Sequence, residues 1–217
     1  MVARPYSSPE AEPALEPLQS GDRLTRIEFH RRYSQHPEIK KAELVEGVVY
    51  VASPVSLQHS EPHTDSVIWL GVYRDDHDGI KLQTDATVIL DTDNEVQPDV
   101  CMYYADGRSA RRGDDGYLHG APELVVEIAV SSASYDLHSK LNAYRRNGVQ
   151  EYIVWRTYDR AIDWFELHEG AYRPIAPDAG GVVHSVVFPG LRLAVDDMLA
   201  GDMKAVLREQ RRKTGRS

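Results

Sequence analysis

The stretch LVVEIAV at residues 124–130 is apolar throughout except for one carboxylate, Glu127. Alternation along an extended strand places Val125, Glu127 and Ala129 on one face and their neighbours on the other. A strand that is apolar on both faces is typical of the centre of a sheet that is covered on both sides. We therefore predict a buried central strand here. An ionised carboxylate in that position needs a cation or another polar partner.

The segments around this strand predict a central mixed β-sheet flanked by helices, an α/β or α+β fold. The other predicted strands are 42–45 and 48–51 (joined at Glu46-Gly47), 81–90, 99–103 after Pro98, 151–156, 160–167 paired with 172–175, and 182–188. The predicted helices run from the capping box at Thr25 to Tyr33 or Ser34, from a cap at Ser60 to Tyr73, from a cap at Asp136 to Gly148, and from Asp196 towards the C-terminus. Residues 105–120 are rich in Gly, Asp and Arg, which predicts a polar loop.

The chain divides into one folded domain with two appendages. Residues 1–22 carry a proline at every fourth position from Pro5 to Pro17, which predicts a disordered Pro/Glu-rich arm. The domain is predicted over residues 23–200, because 217 residues suit one domain better than two. Residues 201–217 are predicted as a basic C-terminal helix and tail.

Composition excludes several classes of protein. A single cysteine, Cys101, rules out an intramolecular disulfide and a cysteine-rich zinc site. No secretory signal and no membrane-spanning stretch is visible, so we expect a cytoplasmic protein without a membrane partner. The net charge of -9 argues against a protein that coats nucleic acid non-specifically. It is compatible with a nuclease, because a metal site concentrates carboxylates and the bound cation reverses the local field.

Two residues outside the central strand are candidates for the same site. Asp99 lies on a predicted strand whose other residues look buried, and it can converge with Glu127 on one metal ion if the two strands are neighbours. The alternative is that each acid pairs with a separate arginine. Lys140 borders the apolar stripe of its predicted helix, where an ammonium can stabilise an oxyanion or orient an attacking hydroxide. A lysine that only extends along apolar surface is the alternative.

Other patterns carry less information. His59 and His63 lack the spacing of a zinc protease, so we interpret this region as a helix start, with either histidine lining the site as the alternative. Cys101 is interpreted as a small buried hydrophobic residue rather than a nucleophile. The aromatic strands 152–155 and 164–165 are compatible with a homodimer, although core packing explains them equally well.

A series of motifs along the chain resembles the Uma-two family, restriction-endonuclease-like proteins of the PD-(D/E)XK superfamily that are abundant in bacteria. The resemblance rests on the order of several segments and extends from about residue 24 to residue 200. These segments are ELVEG (43–47), QPDV (97–100), PELVVEI (122–128), DLHSKL (136–141), Tyr144 and GVQEY (148–152).

This resemblance implies a site for a divalent metal, Mg²⁺ or Mn²⁺, at the end of the sheet. Asp99 and Glu127 match the family's metal ligands, and Glu43 matches the acid of the first hairpin as an additional ligand. Lys140 matches the lysine that the following helix supplies. The superfamily's usual lysine two residues after the strand acid is absent, because Ala129 stands there.

These observations lead to one main hypothesis: a metal-dependent endonuclease that hydrolyses DNA with a metal-activated water, using Asp99, Glu127 and Lys140 as catalytic residues. A non-catalytic descendant of the fold that serves in binding or assembly is the first alternative. A hydrolase for another phosphate substrate is the second.

Overall fold

The computed structural model describes residues 15–130 and 135–212. In chain order its strands are β1 (Ala42–Val45), β2 (Val48–Val51), β3 (Ile80–Thr84), β4 (Val88–Ile89), β5 (Glu95–Val96), β6 (Val100–Tyr104), β7 (Ala110–Arg112), β8 (Leu118–Gly120), β9 (Leu124–Ala129), β10 (Glu151–Arg156), β11 (Ala161–His168), β12 (Ala171–Pro174), β13 (Val182–His184) and β14 (Arg192–Ala194). The helices are α1 (Arg26–Gln35), α2 (Leu57–Asp75), a π-helical turn (Asp136–Lys140) continuous with α3 (Leu141–Asn147), α4 (Val195–Leu199) and α5 (Met203–Gln210).

The central sheet has six strands in the order β12-β11-β10-β9-β6-β3. Strand β9 pairs in parallel with β10 and antiparallel with β6, so the predicted mixed sheet with helices around it is confirmed. A second six-stranded sheet has the order β2-β1-β5-β4-β8-β7, and β13 pairs with β14 in a small third sheet. The first hairpin forms as predicted, with Leu44 opposite Val49.

Strand β9 lies in the middle of the core, and all six of its residues are buried. Leu124, Val126 and Ile128 pack on one side with residues of α2 such as Trp69. Val125 and Ala129 pack on the other side in a separate cluster that also contains residues of α3 and the second sheet. The predicted division of this strand between two apolar layers is therefore confirmed, and Glu127 shares the second face.

The helices partly follow the sequence signals. Helix α1 begins as predicted, because the hydroxyl of Thr25 accepts a hydrogen bond from the backbone N–H of Glu28. Helix α2 begins at Leu57, so the predicted cap at Ser60 is wrong, and Pro62 lies inside the helix at the cost of one backbone hydrogen bond. The predicted cap at Asp136 is also wrong, because Tyr135 before it already has helical φ and ψ angles of -67° and -46°.

Three predictions fail, two of them where the chain passes from one sheet to the other. The single strand predicted at 81–90 is two strands, because Asp85 adopts a left-handed φ of 51° and sends β4 into the second sheet. The predicted loop at 105–120 contains the hairpin β7–β8, which is held in place because β8 pairs in parallel with β4. The strand predicted at 182–188 ends at His184.

The packed fold extends beyond the predicted domain boundaries at both ends. Leu18 is buried in a cluster with Phe29 and Leu44, so order begins before residue 23, while residues 1–14 of the predicted arm lie outside the described residues. The predicted C-terminal helix is divided at Gly201 into α4 and α5, and α5 packs into the core through Val206. Within the described residues, no helix combines the length and the apolar character needed to cross a bilayer.

Candidate active site

A cavity of about 440 Å³ lies where β1, the start of α2 and the π-helical turn meet the ends of β6 and β9. Its charged and titratable lining residues are Lys41, Glu43, His59, Asp85, Asp99, Glu127, Asp136 and Lys140. The three carboxylates predicted as ligands and the lysine predicted from the helix are therefore found in one place. Their catalytic and metal-binding roles stay predictions.

Asp99 and Glu127 come together because β6 and β9 are neighbours. Val100, directly after Asp99, pairs with Val126, directly before Glu127. The backbone N–H of Ile128 donates to Asp99 Oδ2 at 2.7 Å, which ties the aspartate to the acid-bearing strand. Both acids are only 3% exposed.

Lys140 is the cation that Glu127 requires. Its Nζ lies 2.8 Å from Glu127 Oε1 and 2.9 Å from Glu43 Oε1, and its side chain is buried. The hydroxyl of Tyr144 donates to the same Glu127 oxygen at 2.7 Å. The alternative in which Lys140 only extends along apolar surface is therefore wrong. The alternative in which Glu127 pairs with an arginine is also wrong, because its ion-pair partner is this lysine.

Asp99 has a different set of partners. Lys41 donates to Oδ1 at 3.0 Å, and His59 Nε2 lies 3.1 Å from Oδ2. His63 Nε2 lies 2.9 Å from the backbone oxygen of Asp99. The alternative that a histidine of this segment lines the site is thus confirmed. Sequence reasoning missed Lys41, although its position two residues before Glu43 places both on one face of an extended chain.

The site's charges perturb one another. Burial and the nearby carboxylates of Asp99 and Glu43 raise the pKa of Glu127, against the lowering effect of the Lys140 ammonium. Burial acts to raise the pKa of Asp99, but the His59 hydrogen bond and the Lys41 charge hold it below its usual value. The pKa of Lys140 stays well above its usual value despite burial, because Glu127 and Glu43 stabilise the ammonium. Burial acts to lower the pKa of Lys41, but the charges of Asp99 and Glu43 raise it above its usual value, so both lysines are charged at neutral pH.

The donor chemistry suits a hard divalent cation, because Asp99, Glu127 and Glu43 supply carboxylate oxygens to one cavity. As placed, these oxygens are held by ammonium groups. Within residues 15–130 and 135–212, no group of three or more His, Cys, Asp or Glu side chains is arranged to hold a metal ion. A metal ion bound by these acids would compete with the lysine ammonium groups for the carboxylate oxygens.

Two polar atoms at the cavity wall have no hydrogen-bond partner among the described residues: the hydroxyl oxygen of Tyr135 and Nδ1 of His59. The ring of Tyr135 packs against that of Tyr50, with 4.1 Å between the centroids. Residues 131–134, between Val130 and Tyr135, lie outside the described residues. Cys101 is buried in strand β6, as predicted, and takes no part in the site.

Comparisons with known proteins agree with this fold. The sequence profile of the Uma2 family, described as "Putative restriction endonuclease", matches residues 27–196. A crystal structure from Anabaena variabilis ATCC 29413, described as "a putative nuclease belonging to DUF820", covers 78% of this chain and 96% of its own, with a TM-score of 0.62 and 15% sequence identity. At that identity the likeness shows the fold alone. No curated protein matches the chain.

Proposed function

The chain belongs to the Uma2 family of restriction-endonuclease-like proteins, and from this premise we propose that it is a divalent-metal-dependent endonuclease that hydrolyses phosphodiester bonds in DNA. The observation that carries the proposal is the convergence of Asp99, Glu127 and Lys140 on one cavity. Burying four acids (Glu43, Asp99, Glu127 and Asp136) with Lys140 is costly for the fold, and such clusters of perturbed ionisable groups are typical of catalytic sites.

Asp99 and Glu127 would hold the ion, with Glu43 as an additional ligand. Mg²⁺ or Mn²⁺ bound there would supply a water of lowered pKa and a positive charge facing the phosphoryl oxygens. The remaining chemistry belongs to the chain's own side chains.

The neighbouring residues hold the acids in position. Tyr144 fixes one oxygen of Glu127, and the N–H of Ile128 fixes one oxygen of Asp99. His59 holds the same Asp99 oxygen from the opposite element, α2. Both carboxylates therefore present a defined edge to the cavity, which preorganises the site before substrate enters.

Lys140 and Lys41 are assigned different roles. Lys140 is buried between Glu127 and Glu43, where its ammonium orients an attacking water. Lys41 is about a quarter exposed, contacts Asp99 at 3.0 Å and lies 3.6 Å from Asp85 at the cavity wall. Its charge is placed to bind a phosphate oxygen of the substrate.

Nicking of supercoiled plasmid tests the proposal. We expect nicking in Mn²⁺ or Mg²⁺, none in a chelator, and a loss of at least about 100-fold in Asp99→Asn and Glu127→Gln. Asp106→Asn, which changes an exposed loop acid, is the matched control and should nick normally. Persistent nicking by Asp99→Asn or Glu127→Gln would show that the site is assigned wrongly.

A non-catalytic binding module is the second candidate, and one observation favours it. Lys140 already neutralises Glu127 and Glu43, and the described residues form no ready group of three ligands. If the protein is a non-catalytic binding module, Mn²⁺ would not raise its melting temperature, and no plasmid would be nicked. If the acids do bind the ion, the melting temperature of the wild type rises with Mn²⁺ and that of Asp99→Asn does not.

A further inference from the structure

We propose that the substrate is a DNA strand that is unpaired at the cleavage position, and that Val55, Leu57 and Tyr158 contact its unstacked bases. This inference rests on the proposed nuclease function and names the substrate class of the same site. It is carried by the depth of the acids in the cavity, by an exposed apolar rim at its mouth, and by polar wall atoms without partners.

The acids are too deeply placed for an intact duplex. Asp99 and Glu127 are 3% exposed, so a phosphate reaches them only through the cavity. A cavity of about 440 Å³ is too small to admit a whole duplex, whose major groove alone is about 12 Å wide. One nucleotide of a separated strand fits this space, and a paired helix does not.

Large exposed apolar side chains lie at or beside the mouth of the cavity. Val55 is one of its lining residues and is 69% exposed, and Leu57, which follows the lining residue Ser56 at the start of α2, is 74% exposed. Tyr158, in the turn after β10, is 67% exposed. It lies beside the start of α2, because its hydroxyl donates to Gln58 Oε1 at 3.2 Å, and Gln58 precedes the lining residue His59. We call Val55, Leu57 and Tyr158 the apolar rim.

The occupant of the apolar rim follows from its continuity with the acidic site. A strand whose phosphate lies at Asp99 and Glu127 carries its neighbouring bases across the mouth. In a duplex those bases are stacked and paired, so they offer no apolar faces to the rim. In a single strand the faces are free, and stacking on aromatic or apolar side chains stabilises them without regard to sequence.

The cavity wall offers further contacts to a single nucleotide. The rings of Tyr50 and Tyr135 form a packed aromatic pair there. The buried hydroxyl of Tyr135 and Nδ1 of His59 have no partner among the described residues. Buried polar atoms are normally hydrogen-bonded, so these two are available to the sugar or phosphate of a bound nucleotide.

Cleavage of matched oligonucleotides tests the inference. The same labelled strand is presented alone, in a duplex with a short single-stranded gap, and in a continuous duplex, each with Mn²⁺. We expect the single strand and the gap to be cut at least about tenfold faster than the continuous duplex. Equal or faster cutting of the continuous duplex would overturn the inference while leaving the nuclease function intact.

Binding separates the two proposals when no cleavage occurs. Fluorescence anisotropy in chelator measures the affinity of the full chain for the same three DNAs. Absence of cleavage on every DNA would refute the proposed function. Tighter binding of the single strand than of the duplex would still support the inference, and equal binding would refute it.

Variants of the apolar rim locate the effect. Leu57→Ser and Tyr158→Ala should each weaken single-strand binding by about fivefold or more and leave duplex binding unchanged. Ile27→Ser is the matched control, because Ile27 is 73% exposed but lies on α1, which contributes no residue to the cavity lining. Equal effects of Ile27→Ser and Leu57→Ser would show that the rim has no special role.

Discussion

Buried acids occur at both ends of strands β9 and β10, and the two ends are built differently. At one end, Glu127 and Asp99 are bound by lysines and line a cavity. At the other end, Glu151 is fully buried and accepts hydrogen bonds from Ser185 Oγ and the backbone N–H groups of Val186 and Val187. Glu123, beside it, accepts from the N–H of Tyr104 and the hydroxyl of Ser109.

The hydrogen-bond partners of the buried acids differ between the two ends, and this difference separates acids at the cavity from acids that only support the fold. Glu151 is held by fixed backbone N–H groups and Ser185 away from the cavity. Asp99, by contrast, accepts one backbone N–H and also pairs with Lys41 and His59 at the cavity. An ammonium on a flexible side chain can move away when a cation or a phosphate arrives. We therefore expect the buried acids that pair with lysines at a cavity, and not every buried acid, to be the functional ones.

The largest expected effect is on stability and comes from Lys140. Lys140→Ala leaves Glu127 and Glu43 buried without their cation, which should lower the free energy of unfolding by about 3–5 kcal/mol. Chemical denaturation measures this loss. Adding Glu127→Gln to Lys140→Ala should recover part of it, and a loss below about 1 kcal/mol in Lys140→Ala would contradict the assigned charge pairing.

Glu151→Gln should cost less and spare activity. The amide accepts fewer hydrogen bonds than the carboxylate from Ser185 and the two N–H groups, so we expect a loss of about 1–3 kcal/mol. The nicking rate per folded molecule should stay unchanged. A large loss of nicking in this variant would show that Glu151 is needed for activity, so the two ends would not differ in function.

Asp99 at one end and Glu151 at the other should also respond to pH with opposite signs. The folded pKa of Asp99 lies below the usual 3.8, so its contribution to stability is complete above that pH and is lost as the pH falls. Burial raises the pKa of Glu151 above the usual 4.5, so the folded state binds that proton more tightly and stability falls as the pH rises past 4.5.

Denaturation at a series of pH values separates these contributions. Asp99→Asn should flatten the loss of stability below pH 3.8, and Glu151→Gln should flatten the loss above pH 4.5. Each change is limited to about 1.4 kcal/mol per pH unit, the value for one proton. The same slope change in both variants would mean that the two acids are not distinguished by their partners.

The smallest effect is expected on DNA binding, from substitution of the partly exposed Lys41. Lys41→Ala should weaken DNA binding in chelator by about fivefold and lower the salt slope by about one, because one phosphate contact is lost. Lys40→Ala removes the same charge from the adjacent exposed position and serves as the control. If both variants bind alike, Lys41 contributes only through net charge.

Local signals explain the parts of the fold that were predicted from sequence. The capping box at Thr25, the alternation of β1 and β2, and the apolar run of β9 each specify their element through neighbours within a few residues. The strand pair β4–β8 was missed, because its partners lie about thirty residues apart and each is too short to show a period.

The candidate site was likewise predicted only in part from local sequence signals. Asp99 and Glu127 stand out because each is an acid in an apolar strand, and Lys140 because it borders an apolar stripe. The partners of Asp99 do not stand out, since Lys41 and His59 lie 58 and 40 residues from it in sequence. Only the pairing of β6 with β9 and the packing of α2 against them bring these side chains together.

The sequence by itself therefore determined the central strand, its two apolar faces and the acids that interrupt them, because hydrophobic periodicity is a local property of the chain. The tertiary structure decided which acids share a cavity and which cations they meet. It also decided that Glu151 is held by backbone N–H groups instead. Those outcomes depend on strand order and helix packing, which join residues far apart in sequence and leave no periodic pattern behind.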